Sequence, residues 1–175
     1  MRTLAQTLLA AIMLTSLAVY PADSVQTRDG VAMSISARTA EQIEAFFSAR
    51  GFANAALGAL RDACFLTVGI RNTSSDVVWL ELDQFKLSDE AGKPLSRITR
   101  AQWKARFKNF KVAAASQATF GWTQLPEVRD LQPDEPVGGN FALPRREGPF
   151  TLVASLRREG KPPVVFEFPG LSCAQ

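Results

Sequence analysis

The feature that most constrains the fold is a series of short segments in which apolar and polar residues alternate. In residues 64–70, Leu66, Val68 and Ile70 fall on one side of an extended chain. A period of two is typical of strands that bury one face. Further segments of this type, separated by polar turns, are residues 31–37, 77–87, 118–125, 137–143, 150–156 and 164–168. Several short strands at this spacing predict a β-sandwich.

Helical spacing occurs in residues 39–62, before the main run of strands. Thr39 can cap a helix, with Gln42 as the reciprocal partner three residues later. One apolar face then consists of Ala40, Ile43, Phe46 and Phe47, and a second short helical pattern comes after Gly51. We therefore expect an N-terminal helical pair.

A helix inserted among the strands is predicted for residues 98–110. Its apolar face contains Trp103, Phe107 and Phe110, at spacings of four and three. The predicted fold class is therefore mainly β with appended helices (α+β). It is an antiparallel sandwich over residues 64–173 with the helical pair and this one insertion.

Parts of the chain resemble small exported bacterial domains that have an immunoglobulin-like β-sandwich. The resemblance covers about half of the chain and depends on three segments. They are residues 72–92, the Leu131-x-Pro133-x-Glu135 loop, and the strand that starts Gly138-Gly139-Asn140-Phe141. It implies a binding or assembly module, since such families share no catalytic residues.

Residues 1–22 have the features of an export signal. Arg2 precedes an apolar run over residues 4–19, and small residues allow cleavage after Ala18 or Ala22. The alternative is a retained membrane helix, but the run is short for a span and includes polar residues. We expect residues 23–175 to form one domain that is periplasmic or secreted, with no membrane span once the signal is removed.

The only two cysteines, Cys64 and Cys173, predict one disulfide in an exported protein. The bond would tie the start of a strand to the C-terminal end of the chain. A redox pair or a metal site is the alternative. However, neither cysteine is in a C-x-x-C motif, and the chain contains no histidine.

The absence of histidine removes the most common general base and metal ligand. We therefore predict no catalytic residues, no metal site and no cofactor. The alternative is a carboxylate-based enzyme acting on envelope polysaccharide through the acidic loop, residues 127–135. The acidic residues of this loop are Glu127, Asp130, Asp134 and Glu135. A solvated loop with turn-forming aspartates is the simpler interpretation.

Two other motifs have both a structural and a functional interpretation. Gly138-Gly139-Asn140 suggests a phosphate loop, but the lysine and the strand–loop–helix setting are missing, which favours a turn or bulge leading into a strand. Trp79 and Trp122 lie in strand patterns and are predicted to be core residues. The alternative is that they line a ligand groove.

The most distinctive surface feature is a basic stretch in residues 91–126, which contain seven cations and no acidic residue. The cations are Lys93, Arg97, Arg100, Lys104, Arg106, Lys108 and Lys111. Residues 97–111 are the candidate contact surface for a partner. Within them the candidate contacts are Arg97, Arg100, Trp103, Lys104, Lys108 and Lys111. Alternatively, the aromatic side chains pack on the sandwich while the cationic heads reach water.

These observations predict a non-enzymatic exported module for binding or envelope assembly. Its partner would be an envelope protein or an anionic surface. An accessory subunit with no ligand besides its protein partner is a further alternative. The same charges would suit nucleic acid, but export argues against that partner.

Overall fold

The computed structural model describes residues 24–175, which form ten strands and four α-helices. The predicted signal peptide lies outside the described residues. The paired strands form two antiparallel sheets. In sheet 1 the order is β1 (Ser24–Arg28), β2 (Val31–Arg38), β3 (Ala63–Asn72) and β8 (Pro136–Pro144).

Sheet 2 is built around β9 (Phe150–Arg158), which pairs along its length with β10 (Lys161–Leu171). The other edge of β9 pairs with two short strands in succession, β4 (Val78–Glu81) and β5 (Phe85–Asp89). The flanking strands are β6 (Pro94–Leu95), beside β5, and β7 (Val128–Leu131), beside β4.

The two sheets share a core dominated by aliphatic side chains, which we call the inter-sheet core. Leu66, Val68 and Ile70 of β3 contribute to it, as their alternation predicts. From sheet 2, Leu152 and Leu156 of β9 are fully buried in the same core. Complete burial of such a side chain contributes about 1.5–3 kcal/mol, so this core is a major source of stability.

The four helices form a second layer, which we call the helical cap. They are α1 (Ala40–Ser48), α2 (Asn54–Gly58), α3 (Arg100–Asn109) and α4 (Ala114–Trp122). The cap packs on the opposite face of sheet 1, where Phe65 of β3 and Ala142 of β8 lie side by side. Because successive side chains of a strand point to opposite faces, Phe65 faces the cap while Leu66 faces the inter-sheet core.

Helices α1 and α3 both begin with a capping box, in which an N-cap threonine and a glutamine three residues later exchange hydrogen bonds. Thr39 accepts a hydrogen bond from the Gln42 amide, and the Gln42 side chain accepts one from the Thr39 amide. Thr99 and Gln102 make the same reciprocal pair at the start of α3. The sequence prediction for α1 is therefore confirmed in its cap, but only Ile43 and Phe47 of its predicted apolar face are buried, whereas Ala40 and Phe46 are exposed.

The predicted strand over residues 118–125 is wrong, because most of it belongs to helix α4. Phe120 is the only buried residue of that helix, so no apolar helical face is visible in the sequence. Phe120 and Trp122 are two residues apart, which imitates strand alternation. Trp122 is 89% exposed, so it is not a core residue, and the insertion contains two helices instead of one.

The predicted continuous strand over residues 77–87 is divided into β4 and β5 by a 3-10 turn, Leu82–Gln84. The Leu82 amide donates to the Glu127 carbonyl oxygen at 2.8 Å, which continues the β4–β7 pairing as far as this turn. Trp79 in β4 is half-buried, with the Arg157 guanidinium 4.1 Å from its ring centre. Trp79 is thus also not a core residue.

The predicted disulfide is present between Cys64 and Cys173, whose Cα atoms are 5.3 Å apart. It joins β3 of sheet 1 to the segment that follows β10 of sheet 2. The helices found in residues 24–175 are all too short or too polar to cross a bilayer.

Candidate functional site

The basic stretch forms one side of helix α3. Arg100, Lys104 and Lys108 recur every fourth residue, which places them in one row that we call the α3 basic row. All three are exposed. The row is held in place from the opposite side of the helix, where Trp103 and Phe107 are buried.

Trp103 cannot be part of an exposed contact surface, because its side chain is 4% exposed. Its ring centre lies 4.8 Å from that of Phe120 and 5.7 Å from that of Phe65. The prediction that Trp103 contacts a partner is therefore wrong. Trp103 anchors α3 to sheet 1 instead. Phe110, which was predicted to share that apolar face, is instead 41% exposed.

Arg97 is also engaged in ion pairs within the protein. Its guanidinium lies 2.5 Å from a Glu127 carboxylate oxygen and 3.3 Å from Asp83, and its side chain is 17% exposed. Arg100 approaches the same Glu127 carboxylate at 3.5 Å. These ion pairs tie the segment before α3 to the start of β7 and neutralise part of the basic stretch.

The remaining candidate contacts, Lys104, Lys108 and Lys111, are exposed. Within residues 24–175, no carboxylate lies within 4 Å of their amino groups. Arg106 lies on another side of α3, where it covers the Trp103 ring and donates to the Ala59 carbonyl oxygen at 3.4 Å. The uncompensated charge of α3 is therefore concentrated on lysines.

The predicted acidic loop, residues 127–135, is wrong in part, because Val128–Leu131 form strand β7, and two of its carboxylates are engaged by different arginines. Glu127 pairs with Arg97, and Glu135 pairs with Arg129. The hydrogen bond from Arg129, followed by one from the Gln132 amide, lowers the pKa of Glu135 below its ordinary value. A general acid needs a raised pKa, so this shift is opposite in direction to the one such chemistry requires. In the described part of the chain, no cluster of acidic or cysteine side chains is placed to hold a metal ion.

The glycine pair lies inside strand β8 and not in a phosphate-binding loop. A Cβ atom on Gly139 would lie 2.4 Å from the backbone nitrogen of Leu125, so only glycine allows this segment to approach. The next residue, Asn140, exchanges backbone hydrogen bonds with Thr123 and Leu125 at 2.7 and 3.0 Å. The pair therefore fixes the position of Asn140.

Two adjoining cavities lie beside helix α1, and both are lined by Arg38 and Ile43. The first, which we call the α1–α2 cavity, has a volume of about 230 Å³. The second, the α1–β8 groove, has a volume of about 520 Å³. The walls of the cavity include Leu57, Leu60, Ala63 and Phe65, and those of the groove include Ala45, Phe46, Gly139 and Asn140.

A chain of polar side chains borders the groove, and no sequence motif predicts it. Arg38 Nε donates to Thr67 Oγ1 at 2.9 Å, and Thr67 Oγ1 donates to Asn140 Oδ1 at 3.2 Å. Thr67 and Asn140 are directly opposite each other in the β3–β8 pairing. Thr67 and Asn140 are each polar residues in a largely apolar strand, and this is the only sign of them in the sequence. The pairing register that brings them together is not evident from the sequence.

No family model matches this sequence, and no curated protein matches it. Distant similarities exist to solved bacterial structures. The yjhA protein of Bacillus subtilis is 11% identical, with a TM-score of 0.44 over 75% of this chain and 76% of that one. The ycdA protein of the same species is 13% identical, with a TM-score of 0.46 over 85% of this chain. This chain spans 39% of the ycdA protein.

A DUF4426 family protein from Pseudomonas aeruginosa is 10% identical, with a TM-score of 0.39 over 87% of this chain and 97% of that one. At these TM-scores, neither a fold assignment nor a function follows from the likenesses.

Proposed function

We propose that this protein is an exported, non-enzymatic binding module whose α3 basic row docks on an acidic face of an envelope protein. The observation that carries this proposal is the pair Lys104 and Lys108. The two lysines are neighbours on one helical row, and no carboxylate in residues 24–175 lies within 4 Å of either.

The pair has an energetic cost in the isolated protein. Like charges four residues apart destabilise a helix by about 0.2–0.5 kcal/mol. An acidic partner would convert this repulsion into attraction and would steer association. Because Trp103 and Phe107 anchor the helix from below, the lysines are presented on a fixed support.

A protein partner is favoured over insertion into a membrane. A helix that lies in a lipid interface buries its apolar face in the acyl region. Here that face, formed by Trp103 and Phe107, is already buried against sheet 1 and α4. Electrostatic attraction alone would contribute only about 1 kcal/mol for each lysine near an anionic surface.

Export and the finer fold assignment belong to the same proposal. The Cys64–Cys173 disulfide supports an oxidising compartment, the periplasm or the cell exterior. The antiparallel pairing in both sheets, including the pairing of the sequentially distant strands β3 and β8, supports an immunoglobulin-like arrangement. The carboxylate-based enzyme is not proposed, since its two best candidates, Glu127 and Glu135, are held in ion pairs.

The test is crosslinking in living cells of the native host, followed by purification of the tagged protein and identification of what is attached. The variant is Lys104→Glu/Lys108→Glu, which leaves the Arg97–Glu127 pair intact. The matched control is Lys86→Glu/Lys93→Glu, which makes the same charge change at two exposed lysines of the β5–β6 region.

We expect one acidic envelope protein to be captured with the wild type and the control. We also expect its capture to fall at least about tenfold with the α3 variant and to decline with rising salt, because the contact is electrostatic. Equal capture by both variants would remove the α3 basic row from the interface. Binding to phosphatidylglycerol vesicles without any captured protein would replace the protein partner with a membrane surface.

A further inference from the structure

We propose that the α1–β8 groove, together with the adjoining α1–α2 cavity, binds a fatty-acid carboxylate. The inference concerns a site separate from the α3 basic row. Its head-group site consists of Arg38, Thr67 and Asn140, and its acyl-chain site consists of the apolar walls on both sides of α1.

The direction of the hydrogen-bond chain leaves donors facing the groove. A guanidinium group has no acceptor atom, so Arg38 can only donate a hydrogen bond to Thr67 Oγ1. The Thr67 hydroxyl in turn donates its hydrogen bond to Asn140 Oδ1. This arrangement uses the acceptor atom of the Asn140 amide and leaves the Nδ2 donors unused. Asn140 is only 9% exposed, yet no group in residues 24–175 accepts a hydrogen bond from its Nδ2 atom.

Arg38 also has hydrogen-bond donors without a partner. Its Nε atom is bonded to Thr67, but its two terminal nitrogens have no hydrogen-bond partner in the described part of the chain. No carboxylate among these residues lies within 4 Å of its guanidinium group. The Asn140 Nδ2 donor, which still reaches solvent, and the half-buried, unpaired guanidinium group of Arg38 line one groove, and both can donate to an anionic acceptor placed there.

The other walls determine what is attached to that anion. Ile43, Ala45, Phe46 and Gly139 line the groove, so most of its surface is apolar. On the other side of Ile43, the separate α1–α2 cavity is lined by buried Leu57, Leu60 and Phe65. A free phosphate ion would leave this surface empty, whereas an acyl chain would cover it and remove it from water.

Charge around the α1–α2 cavity agrees with an anionic ligand. Arg38, Arg61 and Arg145 border it, and Glu44 is the only acidic residue that does so within the described part of the chain. The groove volume of about 520 Å³ is within the usual range for small-molecule sites, roughly 300–1,000 Å³. A single acyl chain with one carboxylate therefore satisfies the donors, the charge and the apolar walls together.

The experiment measures binding of dodecanoate to the purified protein by isothermal titration calorimetry below the micelle concentration. Parallel titrations use dodecanol, inorganic phosphate and a lysophosphatidylglycerol with the same acyl chain. We expect dodecanoate to bind at least about tenfold more tightly than dodecanol, because only the carboxylate brings a charge that can accept hydrogen bonds from the Arg38 guanidinium group. We also expect no binding of phosphate and weaker binding of the bulkier lysolipid.

Two variants test the two halves of the site. Asn140→Asp keeps the acceptor for Thr67 but replaces the free donor with a negative charge, and we expect at least about a tenfold loss of dodecanoate affinity. Ala45→Trp fills the groove from an exposed position of α1, so it should block the chain without disturbing the core. Arg71→Gln, at an exposed arginine on the same strand as Thr67, is the control and should bind normally.

Wild-type affinity in a folded Asn140→Asp or Ala45→Trp variant would overturn the proposal. Equal binding of dodecanol would remove the head-group site, and binding of the lysolipid but not dodecanoate would replace the carboxylate with a phospholipid head group. If Asn140→Asp fails to fold, Ala45→Trp still tests whether dodecanoate binds in the α1–β8 groove. Lys104→Glu/Lys108→Glu should bind dodecanoate normally, which keeps this test separate from that of the α3 basic row.

Discussion

The inter-sheet core and the core of the helical cap are both well buried, but they are built from different types of side chain. Between the sheets, most buried residues are aliphatic and come from strands that face each other along their lengths. Under the helices, large rings such as Phe47, Trp103 and Phe120 pack beside alanines such as Ala59 and Ala142. Pairing large and small side chains lets short helices lie close to a sheet.

The two cavities occur on the helical side of the molecule. Ile43, Phe65 and Leu57 belong to the cap core and also line the α1–α2 cavity. Two sheet faces match each other over a wide area, whereas a short helix touches a sheet along a line and leaves space on both sides. We therefore expect the sheets to supply most of the stability, while the cap contains the cavities.

The strongest test of this division is removal of the disulfide that joins the two sheets. Cys64 and Cys173 are 109 residues apart, and closing such a loop stabilises the folded state by about 4–5 kcal/mol in the chain-entropy model. We expect Cys64→Ala/Cys173→Ala to lose about this much free energy of unfolding in urea titrations.

The matched control is the wild type in reductant, which should show a similar loss, while the double variant should not respond to reductant. A loss below about 1 kcal/mol would mean that the bond contributes little to holding the sheets together.

A second test compares one phenylalanine from each core. Phe166 of β10 and Phe120 of α4 are both buried, and Phe→Ala in a core costs about 3–5 kcal/mol. We expect Phe166→Ala to lower protection from hydrogen exchange throughout both sheets. Phe120→Ala should instead lower it mainly in α1, α3 and α4, because its ring lies nearest to Phe47, Trp103 and Phe107, whereas Phe65 of β3 is further away.

Hydrogen exchange measured by NMR or mass spectrometry distinguishes these outcomes residue by residue. Uniform loss of protection in the Phe120→Ala variant would show that cap and sheets unfold as one unit. The division between a stabilising part and a binding part would then have no thermodynamic basis.

The difference between the two cores also explains which elements the sequence predicts. Strands β2, β3, β8, β9 and β10 were predicted because each buries alternate residues in the inter-sheet core, which imposes a period of two. Helix α4 was not predicted, since Phe120 is its single buried residue and tertiary contacts alone define its inner face. The 3-10 turn between β4 and β5 was also not predicted.

The candidate sites show the same limit. The cations of α3 were evident from the sequence, but the burial of Trp103 depends on Phe65 and Phe120, which no local pattern connects to it. The head-group site was not evident at all. Thr67 and Asn140 are 73 residues apart, and only the β3–β8 register brings them together.

The smallest expected effect concerns the N-caps that hold the helical cap in place. Thr39→Ala and Thr99→Ala should each lower the free energy of unfolding by about 1 kcal/mol, because each leaves helix amides without an acceptor. Thr39→Ser and Thr99→Ser keep the hydroxyl oxygen and serve as controls in urea titrations, and they should recover most of that loss. If the serine variants are as unstable as the alanine variants, packing of the threonine methyl group and not the hydrogen bond positions these helices. The cap would then depend on side-chain packing alone, as the inter-sheet core does, and the contrast between the two regions would be one of shape and not of the forces involved.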